Sequence, residues 1–307
     1  MSSAHIGLIG CGRWGKHILR DLKSLGCRVT VVARSDSSRS NALEYGADVV
    51  VEQIDQLKGD FDGFVVATPT AQHAEHIESI LHFDKPVFCE KPLTNDLASA
   101  ERLVGAAGDR IFVMDKWKYH GGVIAMADFI AKGSVGKINH IISRRNQWGN
   151  PHTDVDETWI LTPHDISIAQ LLLGHTPTPV SAVAETDSNG KIRYLRATLT
   201  SDSAAVLIEV SGLHPINERS LLIICEGGSV MLTDSFSEHL LVQRNTAPDF
   251  GSKPEKIPFK NSMPLLAELD RFVNFIEGGK PPVSSGQHGL ENVACISQLR
   301  ELSQTNG

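Results

Sequence analysis

The stretch His5-Ile6-Gly7-Leu8-Ile9-Gly10-Cys11-Gly12-Arg13-Trp14-Gly15 constrains this chain more than any other. Ile6, Leu8 and Ile9 form an apolar run long enough for one buried strand, and Trp14, Ile18, Leu22 and Leu25 then recur at helical spacing. Between them, Gly10, Gly12 and Gly15 spell G-x-G-x-x-G where strand passes into helix. Each glycine has its own task. Gly10 permits the tight turn, Gly12 lets the backbone approach a pyrophosphate, and Gly15 lets helix and strand pack closely. The helix N-terminus offers free N–H groups and a partial positive charge to the phosphates. Glycines also make ordinary turns; it is the flanking strand and helix that point to dinucleotide binding by Gly10, Cys11, Gly12, Arg13, Trp14 and Gly15.

From residue 4 to about 117, strand and helix signals alternate as in an α/β doubly wound (Rossmann) parallel sheet. Strands are expected at 27–33, 48–51, 62–67, 86–89 and 110–114, and helices at 37–45, on Ala74, Ile77 and Leu81, and at 96–107. The pattern changes after Trp117. A helix at 123–132, a strand starting at Gly136-Lys137-Ile138 and a helix at 161–173 precede β-rich runs at 180–185, 192–200, 204–210, 221–225, 230–233 and 240–242. No long helical period separates most of these runs, so one large, mainly antiparallel open sheet is expected. Residues 246–263, with Pro248, Gly251, Pro254 and Pro258, read as an irregular surface loop. Two helices close the chain, one on Leu265, Leu266, Leu269, Phe272, Val273 and Ile276, the other on Leu290, Val293, Leu299 and Leu302.

A chain of 307 residues exceeds one typical core, so the expected division is a Rossmann domain over 1–117 and an α+β domain for substrate and oligomer contacts over 118–307. Hydrophobic residues at 41% and charged residues at 21% describe an ordinary globular protein. The net charge of -7 argues against nucleic acid as a partner. Neither a charged-then-apolar leader nor a bilayer-length apolar run is present, so a cytoplasmic protein without membrane contact is expected. The five scattered cysteines, with no C-x-x-C pair, read as buried reduced thiols.

The end of the second strand selects the cofactor. An acid there accepts from the adenosine ribose, whereas an arginine tolerates a 2′-phosphate. Here Val29-Thr30-Val31-Val32 runs into Ala33-Arg34-Ser35 with no carboxylate, and Asp36 reads as a cap for the next helix. The missing acid and the presence of Arg34 therefore favour NADP over NAD, although Arg34 on its own also reads as a solvated surface cation. Ligands of open α/β sheets lie outside the carboxyl ends of the strands, where Thr68-Pro69-Thr70 and Glu90-Lys91-Pro92 fall. Pro92 restricts Lys91 from the helical region. A lysine fixed there can donate to a hydroxyl and supply charge; the alternative is a loop lysine in water.

Taken in order, Gly10-x-Gly12-x-Trp14-Gly15, Ala67-Thr68-Pro69-x-x-x-His73 and Cys89-Glu90-Lys91-Pro92 resemble the Gfo/Idh/MocA oxidoreductase family. The resemblance continues through Gly136-Lys137-Ile138, Pro163-His164-Asp165-Ile166-Ser167-Ile168 and Glu268-Leu269-x-x-Phe272, and so covers nearly the whole chain. Trp14-Gly15, the Pro163-His164-Asp165 run and Leu171-Leu172-Leu173-Gly174 are most similar to members that oxidise nucleotide sugars. The resemblance implies cofactor contacts from the glycine turn, Arg34, Ser35, Thr68, Pro69, Thr70, His73, Glu90 and Lys91. It also implies catalysis by Lys91 beside the nicotinamide and by His164 as proton exchanger, an imidazole task near neutral pH. Tyr119, Trp159 and Asp165 join Lys91 and His164 as candidate contacts for a carbohydrate-like substrate, and a homodimer or homotetramer is implied.

One position departs from the family pattern. Many of its dehydrogenases carry an aspartate four residues before the histidine, and this chain has Ile160 there. Asp165, Asp154 or Asp156 are the possible substitutes. A catalytically impaired NADP-binding regulator or scaffold therefore stands beside the oxidoreductase reading, as does an imine or small-carbonyl reductase that relies on Lys91. The acids of His152-x-Asp154-x-Asp156-Glu157 read as a solvated loop rather than a metal site, so no metal is expected.

Overall fold

Ile6, Leu8 and Ile9 are buried along the first strand, β1 (His5–Ile9), and carry the chain into the glycine turn. The computed structural model describes residues 4–202, 204–244 and 251–305. After β1 come α1 (Gly15–Ser24), β2 (Arg28–Val32), α2 (Asp36–Glu44), β3 (Val49–Val51), β4 (Gly63–Val66), α3 (His73–Ile80), β5 (Val87–Glu90), α4 (Leu97–Ala107) and β6 (Ile111–Met114). These strands form one parallel sheet in the order β3-β2-β1-β4-β5-β6. Val31, Val65, Phe88 and Phe112 are all buried, as strands covered on both faces require. The strand order reverses between β1 and β4, which opens a crevice at their carboxyl ends.

The second sheet follows α5 (Gly121–Ala131) and is built from β7 (Ile138–Trp148), then, after α6 (Glu157–Leu173), β8 (Thr178–Thr186), β9 (Ile192–Ser201), β10 (Ala204–Ser211), β11 (Leu213–Cys225), β12 (Gly228–Leu232), β13 (His239–Arg244) and β14 (Glu255–Pro258). Its order is β14-β13-β12-β11-β7-β10-β9-β8, antiparallel throughout except where β7 meets β10. Ile141, Ser143 and Arg145 of β7 are buried and face α6, while Ile142 and Arg144 alternate to the other side. The expected α/β architecture, a Rossmann sheet followed by a large, mainly antiparallel one, is the architecture observed.

Among the boundaries that differ from the sequence reading, three have a plain physical reason. Helix α6 starts at Glu157 rather than 161, because Asp156 caps it by accepting from the Thr158 N–H at 3.2 Å. Within the expected 246–263 loop, Glu255–Pro258 pairs with β13 as an edge strand, a place where prolines are tolerated; Pro248 lies outside the described residues. The final helices are α7 (Pro264–Ile276) and α8 (Gly286–Thr305). The chain divides into Met1–Lys116 with Met263–Val293 and Trp117–Ser262 with Ala294–Gly307, so 263–293 leaves the expected 118–307 domain and returns to the first unit. Leu265, Leu269, Phe272 and Val273 explain this. They enter the Rossmann core, where Phe272 stacks on Phe88 at 4.9 Å. No helix among the described residues is long and apolar enough to cross a membrane.

Candidate active site

In the first unit, the three motif glycines differ in what surrounds them. Gly10 has φ +94°, a conformation that side chains rarely adopt. At Gly15 a Cβ would sit 2.3 Å from the Gly10 carbonyl oxygen, so α1 and the turn approach as closely as backbone allows. At Gly12 a Cβ would meet nothing within 4 Å. Protein packing thus requires glycine at 10 and 15 but not at 12, whose bare backbone suits the approach of a pyrophosphate. Helix α1 begins after Trp14 with no side-chain cap and no acid in its first turn, so the partial positive charge of its N-terminus is not offset by a side chain of that turn. Asn41, which the sequence reading missed, donates to the Cys11 carbonyl at 2.9 Å and ties α2 to the turn. Burial pushes the Cys11 thiol up to about 11, and all five cysteines are buried.

At the end of β2, Arg34 and Ser35 are exposed and adjacent to the start of α2. The helix cap is Ser35, which exchanges hydrogen bonds with Ser38, and not Asp36 as expected. Asp36 is instead ion-paired with Arg39, which also reaches Glu52 at 3.2 Å. The Arg34 side chain is exposed beside this cap, and the Ser35 and Ser37 hydroxyls lie 3.1 Å apart.

Thr68 and Pro69 follow β4, and Thr70 opens the short turn into α3. His73 differs from its expected role. It is 1% exposed, with one ring nitrogen 2.9 Å from the Thr68 carbonyl and the other 2.9 Å from that of Pro92. It therefore braces the two loops from behind rather than meeting a ligand. Lys91 is half-buried and joined to Pro92 by a cis peptide bond, and its N–H donates to the Glu90 carboxylate at 3.2 Å. That carboxylate also accepts from the Trp14 side chain, and burial holds its pKa above the ordinary range despite Lys91 and Lys116 nearby. The Lys116 ammonium lies 4.6 Å from the Trp14 ring centre. Glycine turn, Glu90 and Lys91 are thus one connected assembly.

In the second unit, His164 is 7% exposed on α6, with the Trp117 ring edge-on at 6.5 Å between centroids. Trp117 also stacks on His120 at 4.8 Å and carries the Arg145 guanidinium at 4.3 Å. The buried Lys118 donates to Gln170 at 3.2 Å. Neither Trp117 nor Lys118 was singled out from sequence, because a short turn after a strand has no periodicity to mark them. Tyr119 is half-buried, its carbonyl accepting from Ser262 at 2.7 Å.

Two of the acids that could stand in at Ile160, Asp165 and Asp156, are held by arginines. Asp165 accepts from Arg145 at 3.0 Å and from Ser143 at 2.6 Å. Asp156 accepts from Arg300 at 2.7 Å, and Glu157 pairs with Arg193 at 2.7 Å. Asp156 and Glu157 are therefore buried ion-pair partners, not the solvated acids expected. Trp159 also leaves the substrate set. It lies about 140° around the helix from His164, buried, with Arg300 5.7 Å from its ring centre. No group of three or more metal-binding side chains is assembled among the described residues.

Comparison with known proteins bears on the family and the fold. Residues 4–111 match the Gfo/Idh/MocA family, described as an oxidoreductase family with an NAD-binding Rossmann fold. An inositol 2-dehydrogenase of Rhizobium meliloti is 27% identical over 193 residues, which cover 59% of this chain and 58% of that enzyme. A UDP-N-acetylglucosamine 3-dehydrogenase of Acidithiobacillus ferrooxidans is 23% identical over 96% of this chain and 95% of its own. A solved structure of that enzyme superposes with a TM-score of 0.86 at 21% identity, covering 99% of both chains. A 3-ketoreductase from Actinomadura kijaniata, solved with TDP-benzene and NADP, superposes with a TM-score of 0.83 at 20% identity over 97% of each chain. What these structures share with the chain is the fold.

Proposed function

We propose, from the membership of this chain in the Gfo/Idh/MocA oxidoreductase family, that it moves hydride between a nicotinamide dinucleotide and a carbinol carbon of a sugar, nucleotide sugar or related polyol. The observation that carries the reading is the glycine turn, in which Gly10 and Gly15 are demanded by the fold and Gly12 is left open. The cofactor is NADP in preference to NAD. The acid-free end of β2, with Arg34 exposed and Asp36 paired to Arg39, supports that preference. Bound nicotinamide supplies the hydride acceptor or donor. Lys91 donates a hydrogen bond and positive charge to the reacting oxygen, and His164 takes its proton in oxidation and returns it in reduction. The protein acts in the cytoplasm as a homo-oligomer.

Equilibrium titration with both cofactors, followed by hydride-transfer assays on neutral sugars, uronates, sugar phosphates and nucleotide sugars, tests this. NADP(H) should bind more tightly than NAD(H), and His164→Asn should lower turnover about 10²–10⁴-fold with cofactor affinity kept. Normal turnover by His164→Asn would remove the proton assignment and favour a reductase that relies on Lys91. A second reading, a nucleotide-binding regulator without chemistry, is favoured by Ile160 and by the ion pairs that occupy Asp156 and Asp165. Tight NADP(H) binding with no turnover of any substrate would establish it.

A further inference from the structure

Strands β7 and β11 set Arg145 directly opposite Arg219. Directly opposed residues share a sheet face, and like charges in that position repel. Arg145 is neutralised. Its Nε and Nη2 both reach the Asp165 carboxylate, at 3.1 and 3.0 Å, and its flat face lies on Trp117. Arg219 is not. Nη1 donates to the carbonyls of Asn146 and Glu218 at 2.5 and 2.7 Å, and Nη2 donates to the Gln147 side chain at 2.6 Å. All three acceptors are uncharged. Among the described residues no carboxylate comes within ion-pair distance of Arg219. A guanidinium has five N–H donors, so Nε–H and one Nη2 N–H are left without an acceptor among the described residues.

Two cations therefore share one face with a single carboxylate in contact, and the surplus charge is half-buried. Desolvation and then the Arg145 charge lower the Arg219 pKa from the ordinary guanidinium range to about 10, against the opposing charges of Asp165 and Asp234. The location is informative. Arg145 rests on Trp117, and Trp117 edges His164, so the surplus charge belongs to the side of the unit that carries the proposed proton exchanger. A planar guanidinium with adjacent N–H groups to spare recognises carboxylate or phosphate oxygens, frequently through two parallel hydrogen bonds.

We propose that Arg219, opposed to Arg145, is an anion-recognition residue for the substrate, so that the carbohydrate carries a carboxylate or a phosphate. This rests on the oxidoreductase reading for the word substrate, but the binding site itself does not need turnover. The test is isothermal titration of the NADP-loaded chain with glucose, glucuronate, glucose 6-phosphate and UDP-glucose. At least one anionic probe should bind about tenfold or more tightly than glucose. Arg219→Gln should abolish that advantage and leave glucose unchanged, while Arg219→Lys, which keeps the charge but not the planar donors, should retain part of it. Glucuronate set against the two phosphate probes separates the carboxylate from the phosphate. Equal affinity for all four probes, no binding of any anion, or an equal loss for glucose in Arg219→Gln would overturn the proposal. Arginine-dependent anion binding by a chain that turns over no substrate in the hydride-transfer assays would instead remove the oxidoreductase reading and leave the subsite standing.

Discussion

Glu268 sits on the apolar stripe of α7 at helical spacing from Leu265 and Phe272, where there is little water to keep a carboxylate charged. Burial, with the negative charges of Glu90 and Asp115 close by, raises its pKa well above the ordinary 4.5, and Lys116 offsets this only in part. The sign of the linkage follows. The folded chain holds this proton more tightly than the unfolded one, so Glu268 costs nothing below about pH 4.5, and its penalty grows as pH rises toward the folded value. Glu268→Gln keeps the shape and removes the titration. Its melting temperature should match the wild type at acid pH and rise above it progressively toward neutrality. Parallel melting curves across that range would show that Glu268 ionises freely. This residue was legible as an acid on an apolar stripe. The paired arginines were not, because only strand register brings 145 opposite 219.

The strand, turn and helix from β1 to α1 make a prediction of their own, because packing and ligand binding demand different glycines. Gly12→Ala adds a methyl that meets no protein atom within 4 Å, so thermal stability should be unchanged while NADP(H) affinity falls at least about tenfold. Gly15→Ala drives its methyl to 2.3 Å from a backbone oxygen and should lower both, with a stability loss of about 1–3 kcal/mol as in overpacked cores. Equal behaviour of the two variants, by melting and cofactor titration, would refute the division. At this scale much was readable. The alternation of strand and helix gave the doubly wound parallel sheet, and the short-range motifs fell at or just past strand ends as expected. What periodicity cannot carry is destination. The apolar face of α7 was plain in Leu265, Leu269 and Phe272, but nothing local says which of two cores it enters. His73 is a similar case: the motif marks its position, and only the fold shows its ring turned toward the backbone of two loops.

For the whole molecule, the open face of the eight-stranded sheet bears on assembly. The face toward α6 is buried, and the opposite face carries Leu207, Ile142, Leu222, Met231 and Leu241 in a single row, each directly paired with the next across five strands. All five are only half-buried within one chain. A continuous apolar row on a sheet face that the described residues leave only half-buried is larger than the scattered exposed residues of a monomer surface, and it fits a self-complementary contact between copies. Sedimentation at micromolar concentration should therefore give a dimer or tetramer. Leu222 lies at the middle of the row, where a charge would be desolvated by the partner without a counter-ion. Leu222→Glu should shift the protein to monomer with its melting transition still cooperative, since the side chain points away from the core of its own unit. A wild-type chain that sediments as monomer at that concentration would leave the row as surface and remove the homo-oligomer from the proposed function.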